Sequence, residues 1–202
     1  MPTCLPEGSD FIILPSTMLQ SIRLTRPVVC LLGLLTLFLG INLTLTGQDF
    51  DPESALSKLE IELPTPAKSI ANYVGATRIG NTIFLSGHLP KQADGSYVLG
   101  KLGDDLSVND GYEAARLSAI ALMATLKAEV GDLSKVKRIA KVFGMVNATD
   151  SFTDHSKVIN GCSDLLVEVF GDRGRHARAA CGFSSLPLGA AVEIEMIVEV
   201  EE

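Results

Sequence analysis

Arg178 stands alone among small residues, in the run Ala177-Arg178-Ala179-Ala180-Cys181-Gly182. Beyond it, acids and apolar residues alternate: Val192, Ile194, Met196, Val198 and Val200 interleave with Glu193, Glu195, Ile197, Glu199 and Glu201. A guanidinium presents a rigid fork of N–H donors that fits a carboxylate through two parallel hydrogen bonds. A glutamate within hydrogen-bond reach of a water can take a proton from it. A lone cation near a row of anions, on a small-residue scaffold, would suit a small anionic substrate and an activated water. The plainer reading of Arg178 is a structural ion pair with one of those glutamates, because arginine is seldom buried without an anionic partner. The plainer reading of Glu193 is a solvated or inter-subunit carboxylate.

These residues need strands beneath them. The strict alternation over Ala191–Glu201 predicts a strand with its apolar set on one face and its acids on the other. Ala177–Ser184 and Val136–Val146 read as further strands. So do Asn72–Arg78 and Thr82–Ser86, joined by a Gly80-Asn81 turn. A short strand is expected around Tyr97-Val98, within the polar, glycine-rich stretch Lys91–Gly103. One helix is predicted from a cap at Asn109 or Asp110 to Val130, with Tyr112, Ala115, Ala119, Leu122 and Leu126 on its apolar stripe. A second is predicted from Thr153-Asp154 to Phe170, striped with Val158, Ile159, Cys162, Leu165, Leu166, Val169 and Phe170. Two amphipathic helices cover one sheet face, which predicts a two-layer α+β sandwich of about 130 residues with a mixed sheet. The acid-bearing face must meet solvent or a second copy, and self-association is the economical use of it.

The whole formal charge of −7 lies from residue 48 onward, since the acids and arginines before it cancel. An acidic domain gains nothing from phosphate electrostatics, so no nucleic-acid partner is expected. The four cysteines, Cys4, Cys30, Cys162 and Cys181, form no zinc-like spacing with His88, His155 or His176, and no metal is expected. Buried or idle thiols are the simple reading; a Cys162–Cys181 disulfide is the alternative. Ser86 and His88 share a strand face without a third group, so they are not read as a nucleophile pair.

Residues 28–45 are an uncharged apolar run, preceded by Arg23 and Arg26 and followed by Asp49, Asp51 and Glu53. This is the pattern of an export signal or a signal anchor, and it would send the remainder across the membrane. Met18 is a natural start for such a signal, which would leave residues 1–17 untranslated. The alternatives are a buried hydrophobic helix and a cytoplasmic protein. Residues 48–66 read as a short helix opened by Asp51-Pro52-Glu53 and closed by a stiff joint at Pro64 and Pro66. The main domain is expected over 67–202.

A set of short motifs then falls into order: Ala71-Asn72-Tyr73-Val74, Phe84-Leu85-Ser86-Gly87-His88-Leu89-Pro90, His176-Ala177-Arg178, Ser185-Leu186-Pro187 and Val192-Glu193-Ile194-Glu195. From about Leu63 to Glu201 the chain resembles the RidA/YjgF family of reactive-intermediate deaminases, also labelled L-PSP endoribonucleases. The resemblance implies a chorismate-mutase-like fold, a homotrimer with clefts between subunits, and hydrolysis of enamines and imines such as 2-aminoacrylate to 2-oxo acids and ammonia. It implies no cofactor. Arg178 matches the arginine that binds the substrate carboxylate, and Glu193 the glutamate that positions or activates water. Tyr73, Ser86, Gly87 and Asn160 match cleft residues, and Ala180 a position that contributes backbone contacts. The chain departs from the usual pattern at His176, where proline is usual, at His88, where glutamine is common, and at Cys181, a cysteine shifted by one position. A non-catalytic trimer that binds metabolites or client proteins is the rival from another class. A ribonuclease is the third, and the acidic charge weighs against it.

Overall fold

The alternation in the last strand becomes a sheet face against two helices. The computed structural model describes residues 50–66 and 71–201. The elements, in chain order, are α1 (Pro52–Lys58), β1 (Ala76–Ile79), β2 (Thr82–His88), α2 (Val108–Val130), β3 (Val136–Asn147), α3 (His155–Phe170), β4 (Ala177–Phe183) and β5 (Val192–Val200). The five strands form one mixed sheet in the order β1-β2-β5-β3-β4. All neighbours are antiparallel except β3 and β4. That parallel pair needs a crossover, which α3 supplies.

Val192, Ile194, Met196, Val198 and Val200 of β5 are buried, as their spacing predicts. They share one core with Ile83 and Leu85 of β2, Val142 and Val146 of β3, Leu122 and Leu126 of α2, and Ile159, Leu165 and Leu166 of α3. The two helices approach closely where Gly161 of α3 meets Tyr112: a Cβ at 161 would overlap the Tyr112 carbonyl. The fold is therefore the two-layer α+β sandwich with a mixed sheet that the residue pattern implies.

Three local expectations are corrected. The first strand begins at Ala76 rather than Asn72: the last in-register bond runs from the Ser86 amide to the Gly75 carbonyl, and the Val74 carbonyl before it accepts from the Ser86 hydroxyl. The stretch at Tyr97-Val98 makes single bridges, Lys91 to Tyr97 and Leu99 to Ala190, and no strand. The cap of α2 is Ser107, not Asn109 or Asp110: its hydroxyl accepts from the Asp110 amide at 3.2 Å, while the Asp110 carboxylate accepts from the Ser107 amide at 2.9 Å. This reciprocal box satisfies two donors that a helix start leaves open.

Helix α1 is capped by Asp51, whose carboxylate accepts from the Glu53 and Ser54 amides. Its Leu56 enters the common core, and Glu53 pairs with Lys127 of α2 at 2.7 Å. Arg173 donates to the carbonyls of Phe50, Ser134 and Val136, tying the start of this segment to the sheet. The residues from 48 onward form one compact unit. The apolar run at 28–45 and the signal read from it lie outside the described residues. Among the described residues, no helix is long and apolar enough to cross a membrane.

Candidate functional site

Strand β4 is the sheet edge, and its register with β3 sets where Arg178 points. Arg178 is opposite Val142, whose side chain is in the helix-side core. Directly opposed strand residues project to the same face. Arg178 accordingly lies against α3, where its Nη1 donates to Asn160 Oδ1 at 2.8 Å and to Ser163 Oγ at 3.0 Å. Its Nη2 lies 3.5 Å from the Ser156 carbonyl. Asn160 and Ser163 are three apart on one helix, so they share a face. Among the described residues Arg178 has no carboxylate partner, although the side chain is exposed. The structural ion pair considered from the sequence is absent there.

Glu193 occupies the opposite side of the sheet. It is opposite Met145, three residues along β3 from Val142, and strand residues three apart project to opposite faces. The expectation of one cation beside a row of anions is thus corrected for a single chain: β3 separates β4 from β5, and the two groups face different ways. The half-buried Glu193 carboxylate lies over the backbone of Gly87, where any Cβ would overlap it. Burial, and secondarily the charge of Glu195, push its carboxyl above the ordinary glutamate value.

The Gly87 backbone is brought there by a bulge. Between Leu85–Met196 and His88–Ile194 the pairing holds three steps of β2 against two of β5. Such an extra residue bends a strand and re-aims its side chains. Ser86 uses its hydroxyl to donate to the Val74 carbonyl at 2.7 Å, which ties down the segment carrying Tyr73. Tyr73 itself is 55% exposed. His88 fixes the other side of the bulge, with Nδ1 donating to the Ser86 carbonyl at 2.7 Å and Nε2 paired with the Thr125 hydroxyl at 2.7 Å.

The predicted residues therefore form two groups. Arg178, Asn160 and Ala180 lie on the helix side of β4, Ala180 being opposite Gly144 and packed against the core. Glu193, Gly87, Ser86 and the Tyr73 segment lie about the β2 bulge on the other side. The sequence reading gave no site role to Ser163 or to His176, although it marked His176 as a departure from the family pattern. Ser163 lies one helical turn from Asn160, a spacing that puts both on one face but does not by itself bring a guanidinium there; His176 gave no periodic signal. Cys162 and Cys181 are both free thiols, so the disulfide alternative is corrected: Cys162 is buried in the helix stripe and Cys181 is exposed on the far face of β4. Among the described residues, no cluster of His, Cys, Asp and Glu is suited to hold a metal ion.

The face away from the helices also carries an uncovered apolar patch. Phe84 of β2 is 39% exposed, and Phe183 of β4 stacks edge-on with Phe143 of β3. A shallow cavity of about 300 Å³ lies there, lined by Val74, Phe84, Ser86, Lys141, Glu195 and Ile197 among others. A larger hollow of about 580 Å³ lies between α1 and α2 and touches none of the predicted site residues.

The chain matches, over residues 53–200, the family model described as "YjgF/chorismate_mutase-like, putative endoribonuclease". The chain belongs to the YjgF family. It is 44% identical over 146 residues to Protein TCP17 of Trypanosoma cruzi, covering 72% of this chain and 91% of that one. The crystal structure of Atu1372 from Agrobacterium tumefaciens is 42% identical, with a TM-score of 0.70, and is matched over its whole length by 79% of this chain. The crystal structure of a "putative endoribonuclease" from Shewanella oneidensis is 35% identical, with a TM-score of 0.72, over 74% of this chain and 99% of its own. The YjgF match begins inside α1, ahead of the Leu63 start read from the motifs, in keeping with the burial of Leu56.

Proposed function

We propose that this YjgF-family protein hydrolyses small 2-imino acids, and their enamine tautomers, to 2-oxo acids and ammonia. The observation that carries this reading is an exposed arginine held by neutral acceptors. Both Nη1 protons of Arg178 are taken by Asn160 and Ser163, which leaves Nε and one Nη2 proton, among the described residues, as an open, charged edge. That edge has the shape of a carboxylate receptor. Glu193, with its raised pKa, is a base on the other half-site. Water would add to the imine carbon as Glu193 takes its proton. Glu193 would pass that proton to the imine nitrogen, giving the carbinolamine, then take the hydroxyl proton and deliver it to the amine as the C–N bond breaks, which releases ammonia and leaves the 2-oxo acid. A desolvated carboxylate is suited to that exchange because its pKa is nearer the working pH.

Because Arg178 and Glu193 face opposite sides of one sheet, one chain supplies two incomplete halves. A ring of copies would join the β4 side of one protomer to the β2–β5 side of the next. The exposed Phe84, Phe183 and Val74 support such burial, and a homotrimer is the assembly proposed. The formal charge of −7 disfavours the ribonuclease reading. The test is release of ammonia and 2-oxo acid from imino acids generated in situ, wild type beside Arg178→Ala. Export or anchoring through residues 28–45 is a separate proposal, checked by fractionating cells that make the full chain; full-length protein free in the cytoplasm would refute it.

A further inference from the structure

Arg178 is aimed by a chain of hydrogen bonds that ends on a histidine. His176 Nδ1 lies 2.7 Å from the Gly174 carbonyl, which can only accept, so Nδ1 carries the ring proton. Nε2 of the neutral ring is then an acceptor, and the Ser163 hydroxyl donates to it at 3.0 Å. Ser163, its proton turned toward His176, offers its lone pairs to Arg178 Nη1 at 3.0 Å. Asn160 takes the other Nη1 proton. With Nη1 saturated, rotating the guanidinium would break at least one of these bonds. Burial favours the neutral ring that this polarity requires: desolvation lowers the His176 pKa, the Gly174 bond opposes it, and the charge of Arg178 adds to the lowering.

We propose that Ser163 and His176 are positioning residues, which together hold the Arg178 fork in the orientation that receives a carboxylate. His176 sets the direction of the Ser163 O–H dipole. Without an acceptor on that side, the hydroxyl proton is free to turn toward the cation, and its lone pairs then turn away. The inference rests on the carboxylate-binding role given to Arg178 above, and neither new residue touches the substrate.

The experiment measures binding of 2-oxobutanoate by calorimetry, and kcat and KM for imino-acid hydrolysis, on the full chain. Ser163→Ala is expected to weaken 2-oxobutanoate binding and raise KM by about 5- to 10-fold, the scale of one ordinary net hydrogen bond, since the serine acts through Arg178 and not on the ligand. Its kcat should stay within roughly two-fold, since the water-activating half is untouched. His176→Phe should do the same, while Ser163→Thr and His176→Gln, which keep a hydroxyl and an acceptor, recover most of the affinity. A purely structural role would lower the melting temperature and leave the affinity of the folded protein alone. If His176→Phe does not fold, Ser163→Ala against Ser163→Thr decides. Unchanged affinity in folded Ser163→Ala overturns the positioning role even if hydrolysis is intact. A wild type that binds 2-oxobutanoate with this variant pattern but turns over no imine overturns the hydrolase reading and leaves the positioning role standing. Failure of the wild type to bind 2-oxobutanoate overturns both.

Discussion

Replacing Arg178 separates a substrate receptor from a structural arginine. Its bonds within the chain go to two neutral side-chain oxygens, and distantly to one carbonyl, at an exposed edge strand. Removing them is expected to cost less than about 1 kcal/mol of stability, because water can replace the arginine at exposed acceptors. The melting temperature should then fall by no more than a few degrees. The charged edge is worth much more to a bound anion. Losing one partner of a desolvated, hydrogen-bonded charge pair costs about 2–5 kcal/mol. At 1.4 kcal/mol per decade, Arg178→Ala should lower kcat/KM by about 30- to 4,000-fold. Arg178→Lys should recover only part, since one ammonium cannot both engage Asn160 and Ser163 and present a fork. The assay is steady-state imine hydrolysis beside thermal melting on the same three proteins. Full activity in folded Arg178→Ala, or collapse of the fold with normal specific activity in what remains, would refute the reasoning.

Glu193 carries a pH prediction. Its carboxyl is raised by burial first and by Glu195 second, so Glu195→Gln should move the acid limb of kcat/KM to lower pH. A raised acid binds more protons when folded, so its contribution to stability is full below the ordinary value of 4.5 and is lost as pH rises through the folded value. Glu193→Gln should therefore melt no lower than wild type at pH 7, with any advantage gone at acid pH, while its turnover falls. The thiols should differ in reactivity: burial pushes Cys162 up to about 12, whereas Cys181 is exposed. Iodoacetamide on the native protein near pH 8, followed by peptide mapping, should find label on Cys181 and not on Cys162; rapid labelling of Cys162 would contradict the packing of α3.

Much of the fold was legible because burial writes itself as period. The two-residue alternation of β5 and the stripes of α2 and α3 each named the side that enters the core. What failed to show was whatever depends on strand order. In Ala177–Phe183 the residues around Arg178 are small on both faces, so no alternation marks the side on which the arginine emerges. Its face is decided by the parallel register with β3, a partner thirty-odd residues away in sequence and joined through α3. The bulge at Ser86-Gly87 was equally silent, because a serine and a glycine read the same in a regular strand as in an irregular one. Ser163 illustrates a third limit: a serine on a helix face is unremarkable until the strand that docks there brings a guanidinium to it.

Complementation between two inactive variants tests the composite site most directly. Arg178→Ala keeps the Glu193 half, and Glu193→Gln keeps the Arg178 half. Each alone should be nearly inactive. Coexpressed in equal amounts, they should assemble at random into mixed rings, in which roughly a quarter of the interfaces join an intact arginine to an intact glutamate. Imine hydrolysis should then return to about one quarter of the wild-type rate per subunit. No recovery, in mixed oligomers verified by mass spectrometry, would contradict a site shared between subunits.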